Sequence, residues 1–208
     1  MNKILIINGS PREGGNTSIA VREMEEVFKA EGMEVTTVQI GKMDIRGCIS
    51  CGHCFKTEGG GCAIDDVVNE LAPVFEAADG LVVASPVYYA SANATIIACL
   101  DRLFYSTRFD KSMKVGASVV CARRGGCSAT FDELNKYFTI SNMPIASSVY
   151  WNSIHGAGKG EAEMDEEGKQ TMRTLARNMA FLIKSIALGR KEYGLPEKEK
   201  KISTNFIR

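Results

Sequence analysis

Lys3-Ile4-Leu5-Ile6-Ile7-Asn8-Gly9-Ser10-Pro11-Arg12-Glu13-Gly14-Gly15-Asn16-Thr17-Ser18 is the stretch on which the fold turns. Lys3 to Ile7 is dominated by large apolar side chains, the pattern of a short strand covered on both faces. The run breaks at once into Gly, Pro and hydroxyl residues. An amphipathic pattern follows, with Ala20, Met24, Val27 and Phe28 at helical spacing and Gly32 as a stop. Strand, glycine-rich loop and helix in that order form the unit of an open parallel sheet. In such a loop glycines let the backbone approach an anion, hydroxyls donate hydrogen bonds, and the helix N-terminus adds free N–H groups. The loop lacks both the Lys-Ser/Thr ending of a triphosphate loop and the G-x-G-x-x-G spacing of a dinucleotide turn, so a single phosphate monoester suits it better. An ordinary turn capped by Thr17 or Ser18 is the alternative that the loop alone leaves open.

The same alternation continues along the chain. Val35 to Ile40, Leu81 to Ala84, Val115 to Cys121 and, more weakly, Pro144 to Tyr150 read as further strands. Val67 to Ala78 (despite Pro73), Asn93 to Tyr105 and Thr130 to Phe138 read as helices. A last long helix is marked by Met172, Leu175, Met179, Leu182, Ile183 and Ile186. The repeated β-α order predicts a parallel sheet with helices on both faces. Five strands in this length favour the flavodoxin strand order over the Rossmann one. Trp151 to Gly168, rich in Gly and polar residues, is expected to be a loop. Residues 1–190 are read as one domain and 191–208 as a tail.

Composition narrows the function classes. With 208 residues and 45% hydrophobic side chains, one domain with a sizeable core is expected. Lys and Arg balance Asp and Glu at 25 each, and no long basic run occurs, which argues against nucleic acid as a partner. The Lys198, Lys200 and Lys201 group alternates with Glu197 and Glu199 and reads as a solvated tail. No stretch has the length of a membrane span, and Ile4 to Ile7 is too short for a signal-peptide core, so a cytoplasmic protein is expected.

Ligands of open α/β sheets sit beyond the carboxyl ends of the strands. The third strand ends in Ser85-Pro86-Val87-Tyr88-Tyr89, whose tyrosines offer stacking surface with a polar tip to a flat aromatic ligand. The fourth ends in Cys121-Ala122-Arg123-Arg124-Gly125-Gly126-Cys127. There the glycines permit close approach and either arginine can stabilise negative charge on a reduced ring. Surface turns and a solvated arginine pair are the bland readings of each loop taken singly.

Together, Gly9-Ser10-Pro11-Arg12, Gly15-Asn16-Thr17-Ser18, Ser85-Pro86-Val87-Tyr88-Tyr89, Leu100-Asp101-Arg102 and Arg123-Arg124-Gly125-Gly126 resemble the NADPH-dependent FMN reductase branch of the flavodoxin-like flavoproteins, which includes the iron–sulfur flavoproteins. The resemblance implies a flavodoxin-like five-stranded parallel sheet and FMN as cofactor. It implies that Ser10, Arg12, Asn16, Thr17 and Ser18 hold the phosphate. Pro86, Val87, Tyr88 and Tyr89 would border the isoalloxazine, with Arg124 and Gly125 nearby. It further implies NADPH or NADH as electron donor and a homodimer or homotetramer with flavin sites near subunit contacts. Trp151, Asn152 and His155 would then face a partner's flavin or simply pack the loop.

Cys48, Cys51, Cys54 and Cys62 read C-x2-C-x2-C-x7-C, four of seven cysteines crowded into one segment. Such crowding without a secretory signal points to metal or redox chemistry rather than disulfides. The first three match the start of the bacterial ferredoxin pattern. The gap to the fourth is longer and no Pro follows it. The segment resembles the compact four-cysteine motif of iron–sulfur flavoproteins, which implies a [4Fe–4S] cluster; a zinc site and free thiols remain open. His53 reads as a solvent-facing loop residue, and Cys99, Cys121 and Cys127 as core or loop residues. The expected activity is hydride transfer from reduced nicotinamide to FMN and delivery of electrons to an unidentified acceptor, with no side-chain acid or base required. A non-enzymatic flavin electron carrier and a metal- or redox-sensing interaction module are the rivals.

Overall fold

The computed structural model describes residues 1–207. The first strand, β1 (Lys3–Asn8), lies inside the sheet between β2 (Glu34–Gln39) and β3 (Gly80–Tyr88), parallel to both. β3 ends in a short hairpin with β4 (Ser91–Ala92). Its other edge pairs in parallel with β5 (Val115–Ala122), which pairs with β6 (Ser153–His155). The resulting order β2-β1-β3-β5-β6 is the flavodoxin-like arrangement, with its topological switch point between β1 and β3.

Alternation along the strands divides the core. Ile4 and Ile6 of β1, with Val82 and Ala84 of β3, pack under α1 (Asn16–Ala30) and the long C-terminal helix. Leu5 and Ile7, with Leu81 and Val83, face the other layer, formed by α3 (Val67–Ala77), α4 (Ala94–Ser106) and α5 (Cys127–Ile140). A four-residue helix, α2 (His53–Lys56), sits within the cysteine loop, and α6 (Glu166–Tyr193) closes the chain of helices. Asp66, Asn93 and Asp165 cap α3, α4 and α6 by accepting from the backbone N–H groups of Val68, Thr95 and Gly168. No helix of the described residues is long and apolar enough to cross a membrane.

One expected strand is displaced. Of Pro144 to Tyr150 only Pro144 to Ala146 reach the sheet, at a single bridge centred on Ile145 and Gly116: the Gly116 N–H donates to the Pro144 carbonyl (2.8 Å) and the Ala146 N–H to the Gly116 carbonyl (2.9 Å). The Ser148 hydroxyl then donates to the Tyr150 carbonyl and bonds the Asn152 amide oxygen (2.7 Å), drawing the chain away from the edge. Pairing resumes at Ser153–His155, inside the stretch expected to be a loop. That stretch also carries a 3₁₀ turn at Glu161–Met164, and α6 begins at Glu166, earlier than its apolar stripe suggests.

Candidate functional site

At the carboxyl ends of β1, β3, β5 and β6 the surface opens into a cavity of about 180 Å³. One wall is the loop after β1, through Ser10, Arg12, Asn16 and Thr17. Asn8 shapes this loop: its amide oxygen accepts from the Ser10 N–H (2.9 Å) and its NH₂ donates to the Ser18 hydroxyl (3.2 Å). Ser10 Oγ accepts from the Arg12 N–H (3.2 Å), and Gln39 at the end of β2 donates to the Ser10 carbonyl (2.7 Å). Close approach from the β2 side depends on Gly41, since a Cβ there would overlap the Ser10 backbone. The N-cap of α1 is Gly15, with no side-chain cap and no acidic residue in the first turn. The amide ends of Asn16 and Thr17 are therefore left to an external acceptor, and the end of the helix favours a negative one.

The opposite wall is Pro86, Val87 and Tyr88. Val87 and Tyr88 pair with Ala92 and Ser91, so the chain reverses through Tyr89 and Ala90, both with positive φ (51° and 59°). Glu133 on α5 anchors the hairpin: its carboxylate accepts from the Ser91 hydroxyl (2.9 Å) and the Ala92 N–H (2.8 Å). Gly126, at φ 93°, lets the start of α5 press against Ala90 and Val87, where a Cβ would meet both at 2.9 Å.

The floor and remaining rim come from Cys121 and Ala122 at the end of β5, Arg123 just after it, and Gly156 and Ala157 after β6. Burial pushes the Cys121 thiol up to about 11, with the Thr17 hydroxyl acting weakly the other way. Seven of the residues expected from the sequence thus meet in one cavity: Ser10, Arg12, Asn16, Thr17, Pro86, Val87 and Tyr88. Ser18 lies behind the loop, bonded to Asn8. Tyr89 stands at the fully exposed hairpin tip, and Arg124 and Gly125 are exposed beyond the lining, where Arg123 stands instead. The Asn16 amide is also structural, donating to the Gly158 carbonyl (2.8 Å) and accepting from the Ala162 N–H (3.2 Å). Gly156 and Ala157 carried no sequence signal, because sheet order alone brings them here, and Cys121, expected only as a core or loop residue, joins them in the lining. Asn152 is buried and donates to the Ser118 carbonyl (3.0 Å), whereas Trp151 and His155 are exposed.

The cysteine segment forms a second site. Cys48, Cys51, Cys54 and Cys62 all line one smaller cavity of about 60 Å³, walled by Ile49, Phe55, Ile64, Arg102 and Tyr105. Cys48 and Cys51 are exposed, Cys54 and Cys62 half-buried. No three Cys, His, Asp or Glu side chains among the described residues converge closely enough to hold one metal ion. Four thiols lining one concavity are the donor chemistry that either an iron–sulfur cluster or a zinc ion takes. His53 faces solvent and its ring bonds Thr57 (3.1 Å), Cys99 is buried in the core, and Cys127 is half-buried at the start of α5.

Comparison with known proteins gives these two sites a context. Residues 2–158 match the family model described as NADPH-dependent FMN reductase. The chain belongs to the NADPH-dependent FMN reductase family. It is an oxidoreductase of the flavin-dependent reductase type, and FMN is the cofactor of the family. An iron–sulfur flavoprotein of Methanocaldococcus jannaschii is 31% identical over 88% of this chain and 98% of that protein. One from Methanosarcina thermophila is 33% identical over 90% of this chain and 98% of its own. Among solved structures, RosB with a bound riboflavin-phosphate intermediate superimposes with a TM-score of 0.73 at 14% identity, covering 100% of this chain and 93% of RosB. An NAD(P)H:quinone oxidoreductase of Methanothermobacter marburgensis does so with 0.62 at 14%, covering 85% and 94%. At such identities these structures bear on the fold alone.

Proposed function

We propose that this protein takes electrons from NADPH or NADH onto FMN held in the larger cavity, and carries a [4Fe–4S] cluster on Cys48, Cys51, Cys54 and Cys62 for delivery to an acceptor. One observation carries the reading. The uncapped start of α1 and the Arg12 side chain share a cavity with the apolar and aromatic wall of Pro86, Val87 and Tyr88. That pairing fits a ligand with a phosphate at one end and a flat ring at the other.

Ser10, Thr17 and the N–H groups at the start of α1 hold the phosphate, with Arg12 supplying positive charge. Pro86, Val87 and Tyr88 border the ring and keep water from it. Of the Arg123-Arg124-Gly125 segment, Arg123 stands in the rim and would offer positive charge to a reduced ring. Bound FMN supplies the hydride chemistry and an iron–sulfur cluster supplies single-electron exchange. Homodimer or homotetramer formation would bring exposed Tyr150 and Trp151 toward a neighbouring subunit.

The test is a visible absorption spectrum of protein purified without oxygen. Flavin bands on a broad sulfur-to-iron shoulder support both parts of the proposal. Flavin bands alone, with no shoulder after supply of Fe²⁺ and sulfide, remove the cluster and leave an FMN reductase. A colourless protein that takes up no added FMN overturns the flavin assignment.

A further inference from the structure

Arg102, on α4, lies outside the flavin cavity, yet it is among the largest fully buried side chains, 1% exposed. A guanidinium is stable there only if its donors are matched. All five N–H groups find an acceptor. Nε donates to Cys62 Sγ at 3.2 Å. The two Nη atoms grip the Asp66 carboxylate (2.6 and 2.9 Å), and their remaining hydrogens go to the carbonyls of Arg46 (3.3 Å) and Ile64 (2.9 Å). Burial works against the charge, but the bonds to Asp66 and Cys62 outweigh it and hold the guanidinium above its ordinary pKa.

These partners bracket the cysteine loop. Arg46 precedes Cys48; Cys62, Ile64 and Asp66 end the loop and start α3. The rest of the loop leans on the same helix and the residues just after it. The Gly61 N–H donates to the Ser106 carbonyl (2.9 Å), Arg108 Nε to the Cys54 carbonyl (3.1 Å), and Phe55 meets Tyr105 edge-on at 5.0 Å.

We infer that Arg102 is the positioning residue of the four-cysteine site, fixing Cys62 through an N–H···S hydrogen bond and closing the loop across Arg46, Ile64 and Asp66. The inference rests on the reading that these thiols hold a cluster, but its structural half does not need the cluster. A donor to a ligating sulfur withdraws electron density and favours the reduced, more negative state. Lysine keeps a charge but lacks the planar fork, so it cannot serve sulfur, carboxylate and two carbonyls together.

Two variants test this. Arg102→Lys keeps the charge. Arg102→Met with Asp66→Asn removes both charges while the Asn oxygen can still cap α3, so no unpaired buried ion remains. Bound FMN reports folding in each. Hydrogen exchange on the full chain, without iron, reads the clamp: the amides of Gly61 and Cys62 should exchange at least tenfold faster in both variants. After supply of Fe²⁺ and sulfide, the cluster in Arg102→Lys should be about tenfold harder to reduce than in the native protein, about 59 mV more negative for one electron. Unchanged exchange, or an unchanged potential in a cluster-bearing variant, overturns the inference. If the native protein takes up no iron, the cluster reading falls, and exchange alone still decides whether Arg102 is the clamp.

Discussion

Replacing Tyr89-Ala90 with Asn-Gly should stabilise the protein. The Tyr88–Ser91 pair closes a two-residue turn whose central residues both have positive φ, 51° and 59°. That geometry suits the twist of a hairpin, and its favoured occupants are Asn followed by Gly. Tyr and Ala pay about 1–2 kcal/mol each for the left-handed conformation. Ala90→Gly removes the Cβ strain but adds back about 0.4–1 kcal/mol through the freer unfolded chain. Tyr89→Asn recovers a smaller share, since Asn tolerates the conformation without abolishing its cost. Tyr89 is fully exposed, so no burial is lost. The sum is a gain of about 1–2 kcal/mol, or about 2–8 °C in Tm for a chain of this length. Urea and thermal unfolding should be measured on protein stripped of flavin, because a bound ligand adds its own stabilisation. The Glu133 anchor uses Ser91 and Ala92, which the change leaves alone. A double variant no more stable than the native protein would refute the claim that this hairpin is strained.

Three other changes have defined outcomes. Gly41→Ala places a Cβ against the Ser10 backbone and should cost about 1–3 kcal/mol in urea unfolding, with weaker FMN binding as the loop shifts. Arg12→Ala should weaken FMN about tenfold or more, the scale of one charge-assisted hydrogen bond, while riboflavin, which lacks the phosphate, binds equally well in calorimetric titrations. Burial raises the Cys99 and Cys121 thiols to about 12 and about 11, so both stay neutral in the native state at pH values where the unfolded chain ionises them. Their stabilising contribution is complete below about pH 8.5 and declines as pH rises toward the native values, by up to about 2 kcal/mol for each thiol at about pH 10. Unfolding curves for Cys99→Ala and Cys121→Ala should therefore fall less steeply between those pH values; equal slopes would contradict the burial argument.

The sequence discloses much of this architecture and conceals the rest for physical reasons. β1, its loop and α1 are legible because each has its own period and punctuation. The helix through Pro73 is legible because the apolar spacing continues past the proline. The edge strand is not: Ile145, Val149, Tyr150 and Trp151 have strand-like side chains, but Ser148 diverts the backbone, and three-residue β6 is too short to show alternation. The same holds for α2, shorter than two helical turns. At the larger cavity, residues on the loop after β1 and at the end of β3 announce themselves by type. Gly156 and Ala157 enter only because β5 and β6 lie in order beside β3. Arg102 is visible within Leu100-Asp101-Arg102, but its partners lie 36 or more residues earlier in the chain, beyond what local pattern can link.

The most direct measurement is the absorption of FMN-loaded protein mixed without oxygen with one equivalent of NADPH, then with NADH in a parallel sample. The oxidised-flavin bands should bleach with at least one of them and return when an artificial electron acceptor is added. Flavin that stays oxidised with both nucleotides, yet bleaches with dithionite, would contradict the reductase reading and leave a flavin electron carrier.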